Sequence, residues 1–442
     1  METITKAVHD AVSAITGQDS NAQLVKKGDW VLLTGASGFV AAHCLTALLD
    51  AGYKVKCSVR SQEKADEIRK RRASHADKLD FVIVKDIVEP GAHDEAVKGV
   101  TAVVHTASPF TLDDKEDNRK YLLDPAIKGT VGVLESIVAH NPSIKRVVVT
   151  SSFAAMIDLS KGLRPGYTYS EADWNPITYD EAVKVKNGAA AYCASKKLAE
   201  KAAWDFVEER KPNFTVATIC PPMVYGPLEH SARLDALNTS TADVYRLING
   251  SCKTVPETSF YAWVDVRDVG VAHAAALNAP SDRYFITAGN FTYTQMCEII
   301  ARHFPQLVNS GMTPNPAGAP PPPEHYRVDN SRSRRVLGMS YRTLESCMID
   351  LVNSLLKLKA TEEGTHYEAA PVSVTDVRTG DEHRSHALPG TGLTGMGSAP
   401  KEWKETENLC DCKEGECKAG ESSRKKCQGH MEGHSAPIVL NK

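Results

Sequence analysis

A tyrosine and a lysine stand four residues apart in the run Tyr192-Cys193-Ala194-Ser195-Lys196, which opens a stretch with the apolar spacing of a helix. Residues at i and i+4 lie on one face of a helix, so the phenol and the ammonium group can act together. A tyrosine with a pKa near ~10 is a poor acid–base group at neutral pH unless a nearby cation stabilises its phenolate. Lys196 is placed to supply that cation, so the pair predicts proton transfer to a substrate.

Ser152 adds a second polar group to this pair. It follows the apolar run 147–150 and precedes Tyr192 by 40 residues. A serine at the end of a strand can donate a hydrogen bond to a carbonyl oxygen. The alternative is that Tyr192 is a half-buried helix residue and Lys196 a surface charge. The upstream serine favours the chemical interpretation, in which the three groups act together on a carbonyl.

A loop with two glycines lies between the first predicted strand and the first predicted helix. Its sequence is Gly35-Ala36-Ser37-Gly38-Phe39-Val40-Ala41. Gly35 permits a tight turn, and Gly38 lets the backbone approach a pyrophosphate at the helix N-terminus, where N–H groups favour anions. Because the loop follows a strand and opens a helix, it predicts dinucleotide binding rather than a purely structural turn.

The end of the second predicted strand indicates which dinucleotide is bound. NAD enzymes usually carry an acidic residue here, on the ribose 2′-hydroxyl. This chain has Arg60, with Lys64 four residues later. Arginine presents a planar fork suited to a phosphate and lysine adds a point charge, so we predict NADP(H) rather than NAD, although both could be solvated surface bases. Asp86 and Ile87, after the third strand, are expected to face the adenine.

Short apolar runs alternate with helical patterns through the first half of the chain. The predicted strands are Trp30–Thr34, Lys54–Val59, Phe81–Val84, Ala102–Thr106 and Arg146–Thr150. The predicted helices are Val40–Leu49, Gln62–Arg71 and Tyr121–Ala139. Continuous apolar strands separated by helices indicate a parallel sheet covered on both faces. Right-handed crossovers then give a doubly wound α/β (Rossmann) fold.

Composition excludes several classes of protein. The 442 residues carry 52 Lys and Arg against 55 Asp and Glu, a net charge of −3, which gives no electrostatic case for nucleic acid or anionic membranes. No apolar run reaches the ~18 residues of a membrane helix, and the first residues lack the pattern of a signal peptide. Eleven cysteines, mostly single within apolar segments, indicate reduced thiols. We therefore expect a cytoplasmic protein.

Three regions are predicted: a polar arm (1–28), a globular domain (29–358) and a disordered tail (361–442). The domain would comprise an NADP-binding core at about 29–220 and a smaller substrate lobe mainly at 221–358. In the tail only nine of 82 residues are Leu, Ile, Val or Phe, below the ~20% expected of a folded chain. Its potential metal ligands are Cys410, Cys412, Cys417, Cys427, His430 and His434. They could bind zinc or copper(I), but their spacing matches no metal module, so exposed oxidisable thiols are favoured and no metal site is assigned.

Five segments carry a resemblance to a known family: Thr34–Phe39, His105–Phe110, Thr150–Ser152, Tyr192–Lys196 and Asp265–Val269. Together they resemble the extended short-chain dehydrogenases/reductases, in the branch similar to dihydroflavonol-4-reductase. The runs 58–64 and 192–204 are most similar to fungal NADPH-dependent aldehyde, ketone and methylglyoxal reductases. The resemblance covers about residues 29–358. It implies a Rossmann fold, NADPH as cofactor and the reduction of an aldehyde or ketone.

The resemblance also implies roles for individual positions. Tyr192 would be the general acid, Lys196 its activator and Ser152 the contact to the carbonyl. Arg60 and Lys64 match the bases that hold the 2′-phosphate. Further matches to cofactor contacts are Gly35, Ser37, Gly38, Phe39, Val40, Thr106, Ala107, Ser108 and Pro221. Phe110, Phe153 and Met223 match substrate-lining positions, although each could be a core residue, and Met223 replaces an aromatic residue common in close relatives.

Two other functions are weighed against a carbonyl reductase. Nucleotide-sugar dehydratases usually follow the active Ser or Thr with an Asp-Glu pair, where this chain has Phe153-Ala154, and epimerases hold NAD, which Arg60 disfavours. A non-catalytic NADP-sensing or metal-binding protein would not need the proton donor Tyr192. The expected partner is a small carbonyl substrate, with no nucleic acid or membrane, for a monomer or homodimer.

Overall fold

The centre of the fold is a parallel sheet of seven strands. The computed structural model describes residues 23–108 and 116–369 and the short strand 378–379. In chain order the strands are β1 (Trp30–Thr34), β2 (Lys54–Val59), β3 (Leu79–Ile83), β4 (Ala102–His105), β5 (Arg146–Thr150), β6 (Thr168–Tyr169), β7 (Thr215–Cys220), β8 (Met223–Tyr225), β9 (Ala262–Asp265), β10 (Arg283–Phe285), β11 (Gly289–Asn290), β12 (Arg327–Val328), β13 (Tyr341–Arg342) and β14 (Arg378–Thr379). The central sheet has the order β10-β7-β5-β4-β1-β2-β3, and all its neighbouring pairs are parallel.

Helices cover both faces of this sheet. They are α1 (Phe39–Asp50), α2 (Gln62–Arg71), α3 (Asp124–His140), α4 (Tyr179–Lys184), α5 (Gly188–Arg210), α6 (Thr239–Ile248), α7 (Val266–Ala276), α8 (Tyr293–His303), α9 (Pro305–Asn309), α10 (Ser331–Leu337) and α11 (Leu344–Glu362). Successive residues of β1 point to opposite faces. Leu33 joins a core with α1, α2 and α7, whereas Leu32 joins a core with α3 and α5. The predicted doubly wound α/β fold is therefore confirmed.

Two predicted elements begin two or more residues away from the predicted position. β3 begins at Leu79, two residues earlier than predicted, because Leu79 continues the parallel register opposite Val55. The helix predicted from Tyr121 begins as a turn of π-helix at Arg119–Leu123 and becomes α3 only at Asp124. Pro125 in the first turn of α3 explains this break, since proline lacks an N–H donor and fits only the start of a helix.

A second, smaller core lies in the C-terminal part of the domain. A three-stranded sheet of order β11-β9-β8 packs with α6, α8 and α11 around Tyr225, Trp263 and Phe291. The residues of this smaller core are not consecutive in the sequence, because the chain returns to the central sheet at β10, which pairs with β7.

The ends of the predicted globular domain are partly described. Val25, in the segment predicted as an arm, is buried, and its N–H donates to Asn278 Oδ1 at 2.9 Å. Helix α11 ends at Glu362, and β14 pairs antiparallel with β13, so these residues of the predicted tail belong to regular structure. Residues 1–22 and the remainder of the tail lie outside the described residues. None of the described helices is long and apolar enough to span a membrane.

Helix α7 packs so closely against α1 that the backbones of the two helices are in contact at Gly270. A Cβ atom added to Gly270 would lie 2.5 Å from the carbonyl oxygen of His43 and 3.2 Å from the amide nitrogen of Cys44. Only glycine allows this separation. The helix that begins at the glycine loop is therefore held directly against the C-terminal part of the domain.

Candidate active site

Helix α5 carries Tyr192 and Lys196 on its first two turns. Asn187 caps the helix, since its side-chain oxygen accepts a hydrogen bond from the N–H of Ala190 at 2.9 Å. Lys196 is only 8% exposed, whereas Tyr192 is half-buried and its ring packs against a cluster of aromatic residues. The alternative that Lys196 is a surface charge is thus excluded.

Ser152 lies beside Tyr192 at the carboxyl end of β5. The side chains of Ser152 and Tyr192 share a hydrogen bond. The Ser152 hydroxyl also accepts the N–H of Ala154 at 3.1 Å and lies 3.5 Å from the carbonyl oxygen of Pro221. Two adjacent hydroxyl groups at a strand end can together bind one carbonyl oxygen.

Lys196 occupies a polar pocket behind these hydroxyl groups. Its Nζ atom lies 3.4 Å from the Thr150 carbonyl oxygen and 3.5 Å from Ser108 Oγ. Burial lowers the pKa of Lys196 to about 8, while the nearby Glu200 acts in the opposite direction. The lysine is therefore still largely protonated at neutral pH.

The Tyr192 hydroxyl keeps its proton at neutral pH. Burial raises the pKa of Tyr192 above its usual value, and the hydrogen bond with Ser152 opposes that change. A protonated phenol suits a site that gives a proton to a developing alkoxide. The geometry brings Ser152, Tyr192 and Lys196 together as the sequence predicted.

The glycine loop has the backbone geometry that close approach of a phosphate requires. Gly35 has φ +65°, and a Cβ atom there would lie 3.1 Å from Ala107. Ser58 on β2 fixes the loop, because its Oγ accepts the Gly35 N–H at 3.3 Å and its carbonyl accepts the Ala36 N–H at 3.0 Å. Among the described residues no side chain caps α1, which begins after Gly38. The helix N-terminus can therefore receive an anion, and Ser37, Phe39 and Val40 surround it.

The segment after β4 lies against the glycine loop. Thr34 Oγ1 accepts the N–H groups of Thr106 (3.1 Å) and Ala107 (3.2 Å), while Thr106 Oγ1 donates to the Thr34 carbonyl at 2.5 Å. Ser108 follows and reaches Lys196. These contacts join the predicted phosphate loop to the predicted catalytic lysine through residues of two neighbouring strands.

The residues predicted to select and orient the nucleotide lie at the ends of β2 and β3. Arg60 is exposed immediately after β2. Lys64, in the first turn of α2, forms an ion pair with Glu67 at 3.0 Å. Asp86 is exposed and accepts the N–H of Val88, and Ile87 packs against Gly129 of α3.

The predicted substrate-lining residues do not share one environment. Phe153 is 1% exposed and stacks on Phe285 with ring centres 5.0 Å apart, so its ring lies in the aromatic core behind Tyr192. Met223 is half-buried on β8, next to the smaller core. Pro221 is buried before β8 and accepts the Phe153 N–H at 2.9 Å. Phe110 lies outside the described residues.

The described part of the chain contains no candidate metal site. Over residues 23–108 and 116–369, no group of three or more His, Cys, Asp or Glu side chains is placed to hold a metal ion. The six candidate ligands of the tail lie outside the described residues. Seven cysteines are described, and all of them are free thiols.

Sequence reasoning missed the residues that surround Lys196. Glu200 is buried and ion-paired to Arg283 on β10. His273 on α7 is hydrogen-bonded through Nε2 to Thr150 Oγ1 at 2.7 Å. The one available signal was the spacing of Glu200, one turn after Lys196 within an otherwise small and apolar helix face.

The chain is similar to known proteins in sequence and in fold. The sequence profile of the NAD dependent epimerase/dehydratase family matches residues 31–286. An uncharacterized oxidoreductase of Schizosaccharomyces pombe is 44% identical, covering 74% of this chain and 97% of its own length. Ketoreductase azaE of Aspergillus niger is 41% identical with the same coverage. The crystal structure of yeast methylglyoxal/isovaleraldehyde reductase Gre2 complexed with NADPH superimposes with a TM-score of 0.68 at 34% identity, covering 75% of this chain and 99% of that one.

Proposed function

The chain belongs to the NAD dependent epimerase/dehydratase family, and we propose that within this family it reduces aldehydes or ketones with NADPH. The resemblance to fungal reductases predicted from the motifs is confirmed by the matches to ketoreductase azaE and to Gre2. The observation that carries the proposal is the hydrogen-bonded Ser152–Tyr192 pair with Lys196 buried next to it.

The chain's own residues fit NADPH. The positive φ of Gly35 and the tight approach of Ala107 leave no room for a side chain at position 35. No side chain among the described residues caps the start of α1, so its N–H groups can receive a pyrophosphate. Arg60 and Lys64 would hold the 2′-phosphate, and Lys196 would hold the nicotinamide ribose. When bound, NADPH supplies the hydride that reduces the carbonyl carbon.

Ser152 and Tyr192 would bind the substrate oxygen through their hydroxyl groups. Polarisation by two positioned donors stabilises the negative charge that develops on that oxygen. Tyr192 Oη then gives its proton to the oxygen, so that the products are an alcohol and NADP⁺. The Lys196 ammonium stabilises the phenolate left behind until solvent returns a proton.

Oxidation of NADPH and NADH at 340 nm, with a panel of aldehydes, α-dicarbonyls and β-ketoesters, tests this function. We expect turnover with at least one carbonyl class and a clear preference for NADPH. No turnover across the panel, with NADPH still bound, would contradict a broad carbonyl reductase.

The pH profile should reveal the depressed pKa of Lys196. Because that pKa is lowered to about 8, the ammonium is present below this pH and is lost above it. We expect kcat/KM to be high near pH 7 and to fall about tenfold for each unit above the pKa, measured from pH 6 to 10 at constant ionic strength. Tyr192 titrates at still higher pH, so a profile that stays level up to pH 9.5 would contradict the role of Lys196.

Several finer properties stay predictions from the sequence. They are the boundary between cofactor core and substrate lobe near residue 220, a cytoplasmic location, a monomeric or homodimeric state and the lack of a nucleic-acid partner. Gel filtration and a truncation after residue 369 would test the oligomeric state and the need for the tail.

A further inference from the structure

A buried carboxylate lies one helical turn beyond Lys196. Glu200 is 2% exposed, and its oxygen atoms accept hydrogen bonds from several elements. The donors are Ser151 Oγ (2.6 Å), Thr218 Oγ1 (2.7 Å), Arg283 Nε (2.7 Å), Arg283 Nη2 (3.2 Å) and Trp204 Nε1 (3.4 Å). A charge removed from water is retained only when it is paired and hydrogen-bonded, and here both conditions hold.

The ion-pair partner of Glu200 is itself fixed in place. Arg283 Nη1 donates to the carbonyl oxygens of Glu171 and Asp173, both at 2.7 Å. Its guanidinium also lies 3.6 Å from the centre of the Trp174 ring. A buried ion pair adds little net stability compared with well-packed apolar residues. Stability alone therefore does not explain why both Glu200 and Arg283 are buried with so many hydrogen-bond partners.

The arrangement is continuous with the candidate active site. Glu200 and Lys196 line the same small pocket, together with Thr150 and Ser151. Ser151 donates to Glu200 and immediately precedes Ser152. The carboxylate therefore faces the lysine from its own helix and touches the strand end that carries the predicted carbonyl contact.

The titratable groups around Lys196 come from five elements. They are Tyr192 and Glu200 on α5, His105 on β4, Cys220 on β7, Arg283 on β10 and His273 on α7. Burial lowers the pKa of His105 to about 3 and that of His273 to about 4, and it raises the pKa of Cys220 and of Tyr192. At neutral pH all four are uncharged, so within this described set Glu200 is the anion that faces the lysine.

We propose that Glu200 is a positioning residue whose buried carboxylate, held by Arg283, keeps Lys196 protonated for catalysis. The inference rests on the proposed function, because a protonated Lys196 matters only if Tyr192 gives up a proton. Glu200 touches neither substrate nor cofactor in this scheme and acts through the lysine alone.

Charge-changing variants test this role through the pH profile. In Glu200→Gln the anion is removed and the Arg283 cation stays, so we expect the alkaline fall of kcat/KM to move to lower pH by about 1 unit or more. For a shift of 1 unit from a pKa of about 8, this corresponds to a loss of about fivefold at pH 8 relative to wild type, with a smaller loss at pH 6. In Arg283→Gln the Glu200 carboxylate keeps the hydrogen bonds from Ser151 and Thr218. It also keeps the nearby Lys196 charge, so the alkaline fall should stay in place or move to higher pH.

Matched variants separate charge from structure. Thr218→Val removes one hydrogen bond to Glu200 and keeps both charges, so the fall should not move. Removing one partner of a buried ion pair is strongly destabilising, so the single variants could fail to fold. In that case the double variant Glu200→Gln/Arg283→Gln is measured instead, because it leaves no unpaired charge. The alkaline fall of this double variant should still move to lower pH, because Glu200 lines the same pocket as Lys196 and Arg283 does not.

The titration of Lys196 can also be measured without turnover. Its acetylation by acetic anhydride is quantified by mass spectrometry as a function of pH. A downward shift in Glu200→Gln supports the inference even if wild type reduces no carbonyl, an outcome that would count against the proposed function alone. Equal Lys196 titration in wild type and in Glu200→Gln overturns the role of Glu200, whatever the activity.

Discussion

Tyr192→Phe should lower kcat/KM for carbonyl reduction with NADPH by about 10²–10⁴-fold, the range for loss of a general acid. The substitution removes the proton donor and the hydrogen-bond partner of Ser152. The phenyl ring can still pack against the aromatic cluster of Phe153 and Tyr169, so the fold should persist. Initial rates of NADPH oxidation measure the effect.

A second tyrosine provides the control for this substitution. Tyr179 on α4 is hydrogen-bonded to Asp124 at 2.6 Å and lies outside the predicted site, so Tyr179→Phe should keep near wild-type turnover. NADPH binding, measured by cofactor fluorescence, should change little in Tyr192→Phe. Retention of more than a tenth of the wild-type kcat/KM would exclude Tyr192 as the essential proton donor.

Arg60→Ala should raise the KM for NADPH by about 10–100-fold and leave the KM for NADH nearly unchanged. A hydrogen bond to a charged group is worth about 1.5–3 kcal/mol, and only NADPH offers the 2′-phosphate. Arg60 is exposed at the end of β2, so its removal should not weaken the fold. The ratio of kcat/KM values for the two cofactors reports the change.

Variants of neighbouring basic residues show whether the preference for NADPH depends on the position of Arg60 or only on its positive charge. Arg69→Ala removes an exposed arginine of α2 that is paired with Asp66, and it should leave the cofactor ratio unchanged. Lys64→Ala should have an intermediate effect, since Lys64 is shared with Glu67. If Arg60→Ala and Arg69→Ala lower NADPH selectivity equally, the preference reflects general charge and not a 2′-phosphate site.

Local sequence patterns predicted five of the seven strands of the central sheet, β1 to β5, and missed β7 and β10. The inner strands β1, β4 and β5 are almost wholly buried, which explains their apolar sequences. β2 and β5 lie where their apolar runs placed them, and the Tyr192–Lys196 spacing placed both groups on one helix. The glycine loop was equally readable, since its geometry depends on Gly35 and on its immediate neighbours. These features need few contacts that are distant in sequence.

The remainder of the site depends on contacts that are distant in sequence. Glu200 sits among small and apolar residues of α5, and its partner Arg283 is 83 residues away, so no local pattern distinguishes a buried ion pair from a surface charge. Phe153 is similar: it follows Ser152 directly, yet stacking on Phe285 draws its ring into the core. β10 could not be assigned to the central sheet because the second core interrupts the alternation of strands and helices.

The contact between Gly270 and His43 limits how this enzyme could diversify. With no gap between the two helices, any larger residue at position 270 must displace α1 and the phosphate loop at its start. Changes in carbonyl preference are therefore better sought around Met223, which is half-buried and predicted to line the substrate site. A mutational library that leaves Gly270 unchanged should preserve the predicted cofactor-binding loop while the residues around Met223 are varied.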